Sequence, residues 1–509
     1  MGNTVAHSFL RSGLPLKRKA HTLDHELQES EDEDYISTPK RRKVMSTTKY
    51  VYKTLFEEGQ GSDVKIAALN RTWNLHKLYL SQSPYFNSMF NGLWIETSQR
   101  EINIGIEDEN ITTEALHKVF GSLYQDEIQI MPLEAVSILA SATLLQLDDL
   151  IQQSIEVMKE SINIDTVLLY HEAAELYGLV DIKNDTLDWL YKNMDSISKS
   201  SLHLQQISCD LMTELISSHK LVVVQTEYTL YALLRSWVFL KENYIYRNAD
   251  TFSDAAEWVF LKENCIYRNA DSFSDAADLY FKNNKSSIPF LSTIVGTPYV
   301  NAFRALRLQH LVVHHVDMEH IEADYIIPIE WFMPIFKMQW YRMLRVDQGA
   351  DKGPKQVSEE DFNRDCLRCG RVLQADIQHS WRWTGFNFGF DIVITYKNGC
   401  FKLRRFQTSE TESPGFQTNA QIIALRAKKR HLMYRICVYS LDKNGKTVAK
   451  GETDIKTVTL NENEQITVLS YPSALPFPLI MSANFLLTTP LRSIDESMPS
   501  VRGTSEHYA

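Results

Sequence analysis

The most constraining feature of this sequence is the stretch from Lys53 to Lys159, where short strand-like and helix-like segments follow one another closely. Residues 83–90 carry large apolar side chains at helical spacing. Glu101–Ile104 instead alternates polar and apolar residues, as a half-buried strand does. This close succession of the two patterns predicts a compact module that contains both helices and strands.

The predicted order in this module is a short helix, two strands, a helix, a third strand and further helices. Besides the helix at 83–90 and the strand at Glu101–Ile104, this order comprises a first helix at 51–59, two strands at 62–69 and 72–80, a helix at 113–125, a short segment at 127–130 and helices within 133–158. Four large side chains are expected in the core: Phe86, Phe90, Leu116 and Tyr124. Asp63 is expected to close a turn or to pair within the fold, and His76 to be a hydrogen-bonded histidine rather than a ligand.

The loop between the helix at 83–90 and the strand at Glu101–Ile104 contains a large apolar side chain. The segment "NGLWIETSQ" has no period and places Trp94 and Ile95 beside Glu96. Because loops run over the surface, a tryptophan there either folds back onto the core or contacts a partner.

The order and spacing of "SDV", "HK", "SPYFNSMF", "LY" and "LLQL" resemble a BTB (POZ) domain, which we place at residues 50–160. The resemblance implies a homodimer that forms through the first helix. The apolar residues of that helix are Tyr50, Val51, Leu55 and Phe56. It also implies binding to a cullin scaffold, because many cullin-binding BTB domains carry a hydrophobic residue, any residue and then glutamate in the loop after the helix that ends "MF". Trp94 and Glu96 stand at the matching positions.

Length and composition indicate a globular protein with several domains. A chain of 509 residues with 44% hydrophobic residues can bury several cores, and its length predicts about three domains.

No apolar run approaches the roughly 18 residues of a membrane span, so no membrane span is predicted. The absence of a secretory h-region and the six scattered cysteines predict a reducing compartment, cytosol or nucleus. The net charge of −11 argues against direct nucleic-acid binding by the whole molecule.

Residues 1–49 form a polar segment with nine Lys and Arg against seven Asp and Glu, and we predict that it is disordered. It contains two basic clusters: Lys17, Arg18 and Lys19, then Lys40, Arg41, Arg42 and Lys43. Such clusters fit the acidic grooves of import receptors, so the predicted partner is an import receptor and the predicted location is the nucleus. The alternative is a solvated charge run. Gly2 is a candidate for N-myristoylation, which would give at most peripheral membrane contact. Ala6 departs from this motif, which has Ser or Thr at that position.

Residues 161–310 carry helical patterns and resemble the BACK domain that commonly follows a BTB domain as a spacer between binding surfaces. Within it, 237–278 is a tandem duplication in which 18 of 21 positions are identical. Two copies are too few for a solenoid, so we assign the duplication no function. Residues 311–358 are predicted to be a connector that ends in the linker-like "DQGADKGPKQVS".

Residues 359–492 predict an antiparallel β domain of sandwich type, and 493–509 a disordered tail. Asn398-Gly399 and Asn444-Gly445 predict the tight turns of two hairpins. The segment "SWRWTGFNFGF" is unusually aromatic. It contains Trp381, Trp383, Phe386 and Phe388, which form either the core of a sheet or a recognition face for a protein target.

The segments "CGR" and "WRWTGFNFGFD", placed after a BTB-like and a helical domain and behind a basic tail, resemble the germ cell-less family from Lys53 onward. This resemblance implies a role in germ-cell development and a location at the nuclear envelope or periphery. Nuclear lamina or envelope proteins are then expected partners. The cytoplasm and the inner membrane surface are alternative locations.

The sequence contains no motif for catalysis, so the chain is predicted to be a non-catalytic binding protein without cofactor or metal. Cys366 and Cys369 form a single CxxC, and a zinc site would need His379, Cys400 or Cys437 to converge on it. There is also no RING pattern of Cys and His.

Two functions remain open. In the first, the chain is the substrate-recognition adaptor of a cullin-type E3 ubiquitin ligase. Its BTB domain binds the cullin, its C-terminal domain binds an unidentified target, and E3 activity comes from the recruited cullin–RING. In the second, it is a nuclear-envelope-associated transcriptional co-regulator that acts by tethering, without ubiquitin.

Overall fold

The computed structural model describes residues 46–91, 99–243, 273–347, 356–383, 391–406, 429–461, 463–471 and 475–488. In chain order these form a small module of helices and strands, a helical domain and a domain of two β-sheets. The predicted α+β multidomain class is confirmed.

The first unit packs helices around a three-stranded sheet. Its elements are α1 Thr47–Tyr50, β1 Val64–Ala68, β2 Arg71–Leu75, α2 Lys77–Leu80, α3 Pro84–Asn91, β3 Glu101–Asn103, α4 Thr113–Ser122, α5 Ala135–Leu144 and α6 Asp148–Glu160. Helix α1 continues directly into a wider π-helical segment, Val51–Glu57. The strand order is β2–β1–β3, with β1 antiparallel to β2 and parallel to β3.

Large apolar side chains from both sheet and helices fill the core of this unit. Phe86, Leu116 and Tyr124 are buried there, and Phe90 is half-buried at its edge. These positions confirm the predicted core.

The second strand is shorter than the predicted 72–80, because β2 ends at Leu75 and α2 begins at Lys77. Asp63 Oδ1 accepts a hydrogen bond from the backbone N of Lys77 at 2.8 Å, which satisfies one of the free N–H groups at the start of the helix. The His76 ring is hydrogen-bonded within the fold, since its Nε2 lies 3.0 Å from the carbonyl O of Gln60 and its Nδ1 lies 3.2 Å from the Tyr124 hydroxyl. The predicted structural roles of Asp63 and His76 are therefore confirmed, whereas the prediction of one continuous strand over 72–80 was wrong.

The second unit is built from helices around one large apolar core. Its helices are α7 Val167–Tyr177, α8 Val180–Ser198, α9 Ser201–Gln206, α10 Cys209–Ser217, α11 Glu227–Glu242, α12 Phe273–Asn283, α13 Val300–Arg304, α14 His315–Asp324 and α15 Met333–Asp347. Helix α7 ends at Gly178, whose φ of 69° suits the left-handed conformation that closes many helices. Trp237, Tyr231 and Phe303 are fully buried in the core.

Much of the predicted connector, 311–358, is folded onto this core. Helices α14 and α15 lie within it, and Ile321, Ile326 and Phe332 are buried among the core residues of the helical domain. Most of the duplication, 244–272, lies outside the described residues.

The third unit contains two antiparallel sheets that face each other. Its elements are α16 Glu359–Asp365, β4 Leu367–Leu373, β5 His379–Trp383, β6 Asp391–Lys397, β7 Cys400–Phe406, β8 Arg430–Leu441, β9 Thr447–Glu452, β10 Lys456–Leu460, β11 Gln465–Ser470 and β12 Leu479–Thr488. One sheet has the order β10–β8–β12–β4, with β9 also paired to β8, and the other has the order β11–β7–β6–β5. Apolar side chains of both sheets share one core, as in a sandwich.

The two predicted tight turns differ. Asn398 and Gly399 have φ of 48° and 73°, as a two-residue turn between twisted strands requires, so the turn between β6 and β7 is confirmed. At the second site, β8 ends at Leu441 and β9 begins at Thr447, and only Gly445 has a positive φ of 78°. The predicted tight turn at Asn444-Gly445 is therefore a longer loop, which makes contacts described below.

Candidate protein-interaction surfaces

The segment predicted to bind a cullin follows α3 in the sequence of the first unit. The helix ends at Asn91 and β3 begins at Glu101, while Phe86 holds the helix against the core. Trp94 and Glu96 lie outside the described residues, so their contact with a cullin stays a prediction.

An acidic cavity of about 770 Å³ opens on the same unit, between the start of α3 and the start of α6. Its charged lining residues are Asp126, Glu127, Asp148 and Asp149. The described residues that line it include no basic group, which suits contact with Lys or Arg side chains of a protein partner.

The first helix is more deeply seated than predicted. Phe56 is only 4% exposed, and its ring lies 4.8 Å from the His117 ring and 5.2 Å from the Tyr124 ring. Phe56 was therefore wrongly predicted as a dimer contact, because α4 lies beneath it and completes its burial within one chain. Val51 and Leu55 are half-buried against the same core, while Tyr50 is 53% exposed.

A buried ion pair joins the helical domain to the β-sandwich. Glu227, at the start of α11, is 0% exposed and Arg368, in β4, is 1% exposed. Glu227 Oε1 and Oε2 accept from Arg368 Nη2 at 2.5 Å and from Arg368 Nε at 3.1 Å. Oε1 also accepts from the backbone N of Arg307 at 2.8 Å. Burial acts to raise the pKa of Glu227, but the charge and hydrogen bonds of Arg368 outweigh it, so this pKa lies below its usual value.

A second layer of polar contacts extends this junction toward α16. Arg307 Nη1 donates to the carbonyl O of Cys366 at 2.6 Å, and Arg307 Nη2 donates to the carbonyl O of Asn363 at 2.5 Å. His310 Nε2 lies 2.8 Å from the carbonyl O of Asp365, and burial lowers its pKa to about 4. The imidazole is therefore neutral at physiological pH and donates this bond.

The tip of the β8–β9 hairpin makes a separate contact with the helical domain. Trp189 Nε1, on α8, donates to the carbonyl O of Asn444 at 2.9 Å, and Asn193 Nδ2 donates to the carbonyl O of Gly445 at 2.9 Å. Lys446 Nζ donates to the carbonyl O of Lys159 at 3.0 Å, near the end of α6. Two separate sets of polar contacts therefore fix the β-sandwich relative to the helices.

The aromatic segment of the sandwich is partly core. Trp383 is 4% exposed, and its Nε1 donates to the carbonyl O of Gln225 at 3.3 Å. This position supports the core alternative for Trp383 rather than direct contact with a target. Trp381 is half-buried and stacks on His379 with 5.5 Å between ring centroids. Phe386 and Phe388 lie outside the described residues.

The two cysteines of the CxxC use their thiols within the protein. Cys366 Sγ accepts from Arg307 Nη1 at 3.0 Å, whereas Cys369 Sγ donates to the carbonyl O of Ala483 at 3.5 Å. Burial raises the pKa of both thiols. Within the described ranges, no group of three or more His, Cys, Asp or Glu is placed to hold a metal ion. None of the helices in those ranges is both long and apolar enough for a membrane span.

Comparison with known proteins identifies the family. The BTB/POZ domain matches residues 52–162. Human "Germ cell-less protein-like 2" is 36% identical over 482 residues, which cover 94% of this chain and 86% of that protein. The chain belongs to the germ cell-less family. Drosophila melanogaster "Protein germ cell-less" is 38% identical over 457 residues, which cover 89% of this chain and 79% of that protein. Human "Kelch repeat and BTB domain-containing protein 8" is 23% identical over 194 residues, 38% of this chain and 31% of that protein.

Sequence reasoning missed the polar junction of this germ cell-less family chain. The available signal was the presence of charged residues in two largely apolar segments: Glu227 in "TEYTLYALL", and Arg368 together with Arg371 in "CLRCGRV". Acidic and basic residues are almost never fully buried unless they are paired. The pattern alone does not name the partner, because the two residues are far apart in sequence.

Proposed function

We propose that this germ cell-less family chain is a substrate-recognition adaptor of a cullin-type E3 ubiquitin ligase. Its BTB/POZ domain binds the cullin scaffold through Trp94 and Glu96, and its C-terminal half binds the target protein. Ubiquitin transfer is supplied by the recruited cullin–RING complex, because this chain acts by binding rather than catalysis.

The observation that carries the proposal is the fixed attachment of the β-sandwich to the helices that follow the BTB domain. An adaptor must hold its target at a defined position relative to the scaffold. The buried Glu227–Arg368 pair and the hairpin contacts with Trp189 provide such an attachment at two separate points. A sandwich attached only by a flexible linker would leave the position of the target undefined.

The proposed adaptor is a homodimer. Tyr50 is exposed on the first helix, and Val51 and Leu55 are half-buried beside it, so this face offers an apolar patch to a second copy. An isologous contact would place two cullin-binding loops and two target-binding domains in one assembly.

We also propose that the protein works in the nucleus, at the envelope or periphery. The support is the pair of basic clusters in the N-terminal segment, led by Lys40–Lys43, together with the family itself. The same location serves the alternative function, a transcriptional co-regulator that tethers partners without ubiquitin, so location does not separate the two functions.

The test is the double substitution Trp94→Ala and Glu96→Ala in the full chain. An apolar anchor seated in a partner's pocket contributes roughly 2 kcal/mol or more, so we expect at least a 30-fold loss of cullin affinity at that free energy. The dimer and the melting temperature should stay near those of the parent. A matched control is Leu176→Ala with Glu172→Ala, which removes an exposed apolar and an exposed acidic side chain on α7.

Three results would contradict the proposal. If the parent binds no cullin, the tethering alternative takes its place. If the double variant stays folded and binds cullin at full affinity, the assignment of this loop is wrong. If the variant unfolds or loses its dimer while the control does not, Trp94 belongs to the core.

A further inference from the structure

A polar cleft of about 270 Å³ lies where the five-stranded sheet of the sandwich meets the helical domain. Its floor is the outer face of the sheet. Arg435 and Cys437 on β8 stand opposite Asn484 and Ser482 on β12, and side chains two residues apart on a strand point to the same face. The remaining wall is formed by α8 and by the segment after α10.

The charges that line this cleft do not cancel. Its basic residues are Lys192, Lys220, Arg435 and Lys450, and its acidic residues are Asp188 and Glu452. Lys192 Nζ pairs with Asp188 at 2.5 Å and Lys450 Nζ pairs with Glu452 at 2.8 Å. Both acids are therefore paired, and the described residues of the lining keep two positive charges in a protein whose net charge is −11.

The two remaining cations have no carboxylate within salt-bridge distance among the described residues. The Arg435 guanidinium lies 5.8 Å from the Phe362 ring centroid, and it faces the Asn484 side-chain oxygen at 3.0 Å when that amide is oriented to satisfy both groups. Lys220 is exposed at the rim, beside His219.

The titration of His219 supports a positive potential in this cleft. Burial lowers the pKa of its imidazole, and Arg435, Lys220 and Arg307 lower it further, against an opposing effect from Glu359. The neutral imidazole adds a hydrogen-bonding group to the wall, next to two cations.

We propose that this cleft binds the phosphate of a phosphorylated serine or threonine side chain in a segment of the target protein. A phosphomonoester carries about −1.5 to −2 charges and three acceptor oxygens, so it matches two cations that lack a carboxylate partner better than a single carboxylate does. Arg435 provides the planar donor fork that recognises phosphate, and Lys220 provides a point charge. The Ser482 hydroxyl on the floor can donate a further hydrogen bond.

A polypeptide suits the site better than free phosphate because the cleft continues along α8. A second cavity of about 240 Å³ contains Asp188 and Lys192 as well, and it extends to Thr447 and Lys159. The first cavity is slightly smaller than the roughly 300 Å³ at which small-molecule pockets begin, so it suits one side chain. The second cavity then receives the neighbouring residues of an extended segment.

This inference rests on the proposed adaptor function, since it names the chemistry of the target. The experiment measures binding of the full chain to a peptide library with a fixed central phosphoserine or phosphothreonine and degenerate flanks. Matched libraries carry serine, threonine or aspartate at the central position. Inorganic phosphate and a nucleic-acid duplex serve as competitors.

The test variant is Lys220→Gln with Arg435→Gln, and the control is Lys199→Gln with Lys402→Gln, two exposed lysines outside the cleft. We expect the parent to prefer the phosphorylated library at least tenfold, and the test variant to lose that preference while its melting temperature stays within a few degrees of the parent. The control should keep the preference. The single substitution Arg435→Lys keeps the positive charge but removes the planar guanidinium donors, so it should give an intermediate loss of the preference for the phosphorylated library.

Equal binding of phosphorylated and unphosphorylated libraries by the parent overturns the proposal, as does full phosphopeptide binding by the folded test variant. Binding of inorganic phosphate alone, or of the duplex in place of peptides, overturns the assignment of a phosphorylated segment. Cullin binding is measured in parallel. If the parent binds cullin but shows no preference for the phosphorylated library, only this inference is rejected. If the parent prefers the phosphorylated library but binds no cullin, only the proposed function is rejected.

Discussion

The buried pair between Glu227 and Arg368 makes a demanding prediction about how the sandwich is held. In the variant Glu227→Gln, the guanidinium of Arg368 stays buried but loses its counter-charge. The backbone N of Arg307 keeps an acceptor, since the glutamine side-chain oxygen can replace Glu227 Oε1. The substitution therefore removes charge with little change of shape.

The expected cost follows from the burial of both partners, which are 0% and 1% exposed. Removing one partner of a buried pair destabilises a protein by about 3–5 kcal/mol, because the remaining charge is left uncompensated. At about 2 °C per kcal/mol for a large folding unit, the melting temperature should fall by about 6–10 °C. The control Asp195→Asn removes a surface salt bridge with Lys199, whose N–O distance is 2.5 Å. It should lower the free energy of unfolding by no more than about 1 kcal/mol.

The assay is thermal and urea unfolding of the full chain, combined with a double-mutant cycle. In that cycle, Arg368→Met is measured alone and together with Glu227→Gln. The double variant should lose less stability than the sum of the two single losses, because the second change no longer leaves a buried charge. The reasoning is refuted if Glu227→Gln lowers the melting temperature no more than Asp195→Asn, or if the two single losses add without coupling.

Three further predictions follow from the described contacts and from the N-terminal clusters. Phe56→Ala should lower the free energy of unfolding by about 3–5 kcal/mol and unfold the BTB domain. Tyr50→Glu should instead leave the melting temperature within a few degrees of the parent and shift the dimer toward monomer in light scattering. If the unmodified chain is already a monomer at micromolar concentration, the basis for this prediction is removed. The folded-state pKa of His310, about 4, lies below its ordinary value of 6.5. Because the unfolded chain binds the proton first, stability should decline as the pH falls from 6.5 to about 4, by on the order of 3 kcal/mol for this group. His310→Gln should flatten that part of the stability profile, and an unchanged profile argues against a buried neutral imidazole. Finally, alanine at Lys40, Arg41, Arg42 and Lys43 should abolish nuclear accumulation of a tagged chain, since the charge that a receptor groove needs is gone; retained accumulation means that the cluster is only solvated charge.

Local patterns were sufficient for much of the fold. The strand at Glu101–Asn103 and the helix at Pro84–Asn91 were predicted because one face of each is apolar at the right period. The turn at Asn398-Gly399 was predicted because few residues other than these adopt positive φ without strain. In each case the decisive information lies within about ten residues of the chain.

The errors occurred where a distant residue decides the local structure. β2 stops at Leu75 because Asp63 accepts a hydrogen bond from Lys77 at the start of a helix. Phe56 is core because α4 passes beneath it, which no pattern in the first helix shows. Helix α14 lies in the segment predicted as a connector, and its Ile321 is buried in the core of the helical domain, among residues distant in sequence.

The candidate sites were less predictable than the fold for the same reason. Trp94 and Glu96 follow from a family pattern, and they stay a prediction. The cleft around Arg435 and Lys220 arises only when the sandwich is set against α8, since its lining comes from five separate segments of the chain. No sequence window contains enough of it to suggest an anion site.

The polar character of the junction bears on how an adaptor of this architecture would orient its target. A purely apolar contact between helices and a sheet would tolerate small rotations, because apolar burial is non-directional. Glu227 instead has to accept from Arg368 and from the backbone N of Arg307 at the same time, which restricts the relative orientation of β4 and α11. The hairpin tip on α8 adds a second point, and two separated points restrict rotation about the first. The cleft around Arg435 lies against the same helix, α8, so any tilt of the sandwich would change its width. We therefore infer that Glu227→Gln weakens target binding as well as stability, whereas substitutions on the exposed face of the first helix affect assembly and leave the affinity of each cleft unchanged.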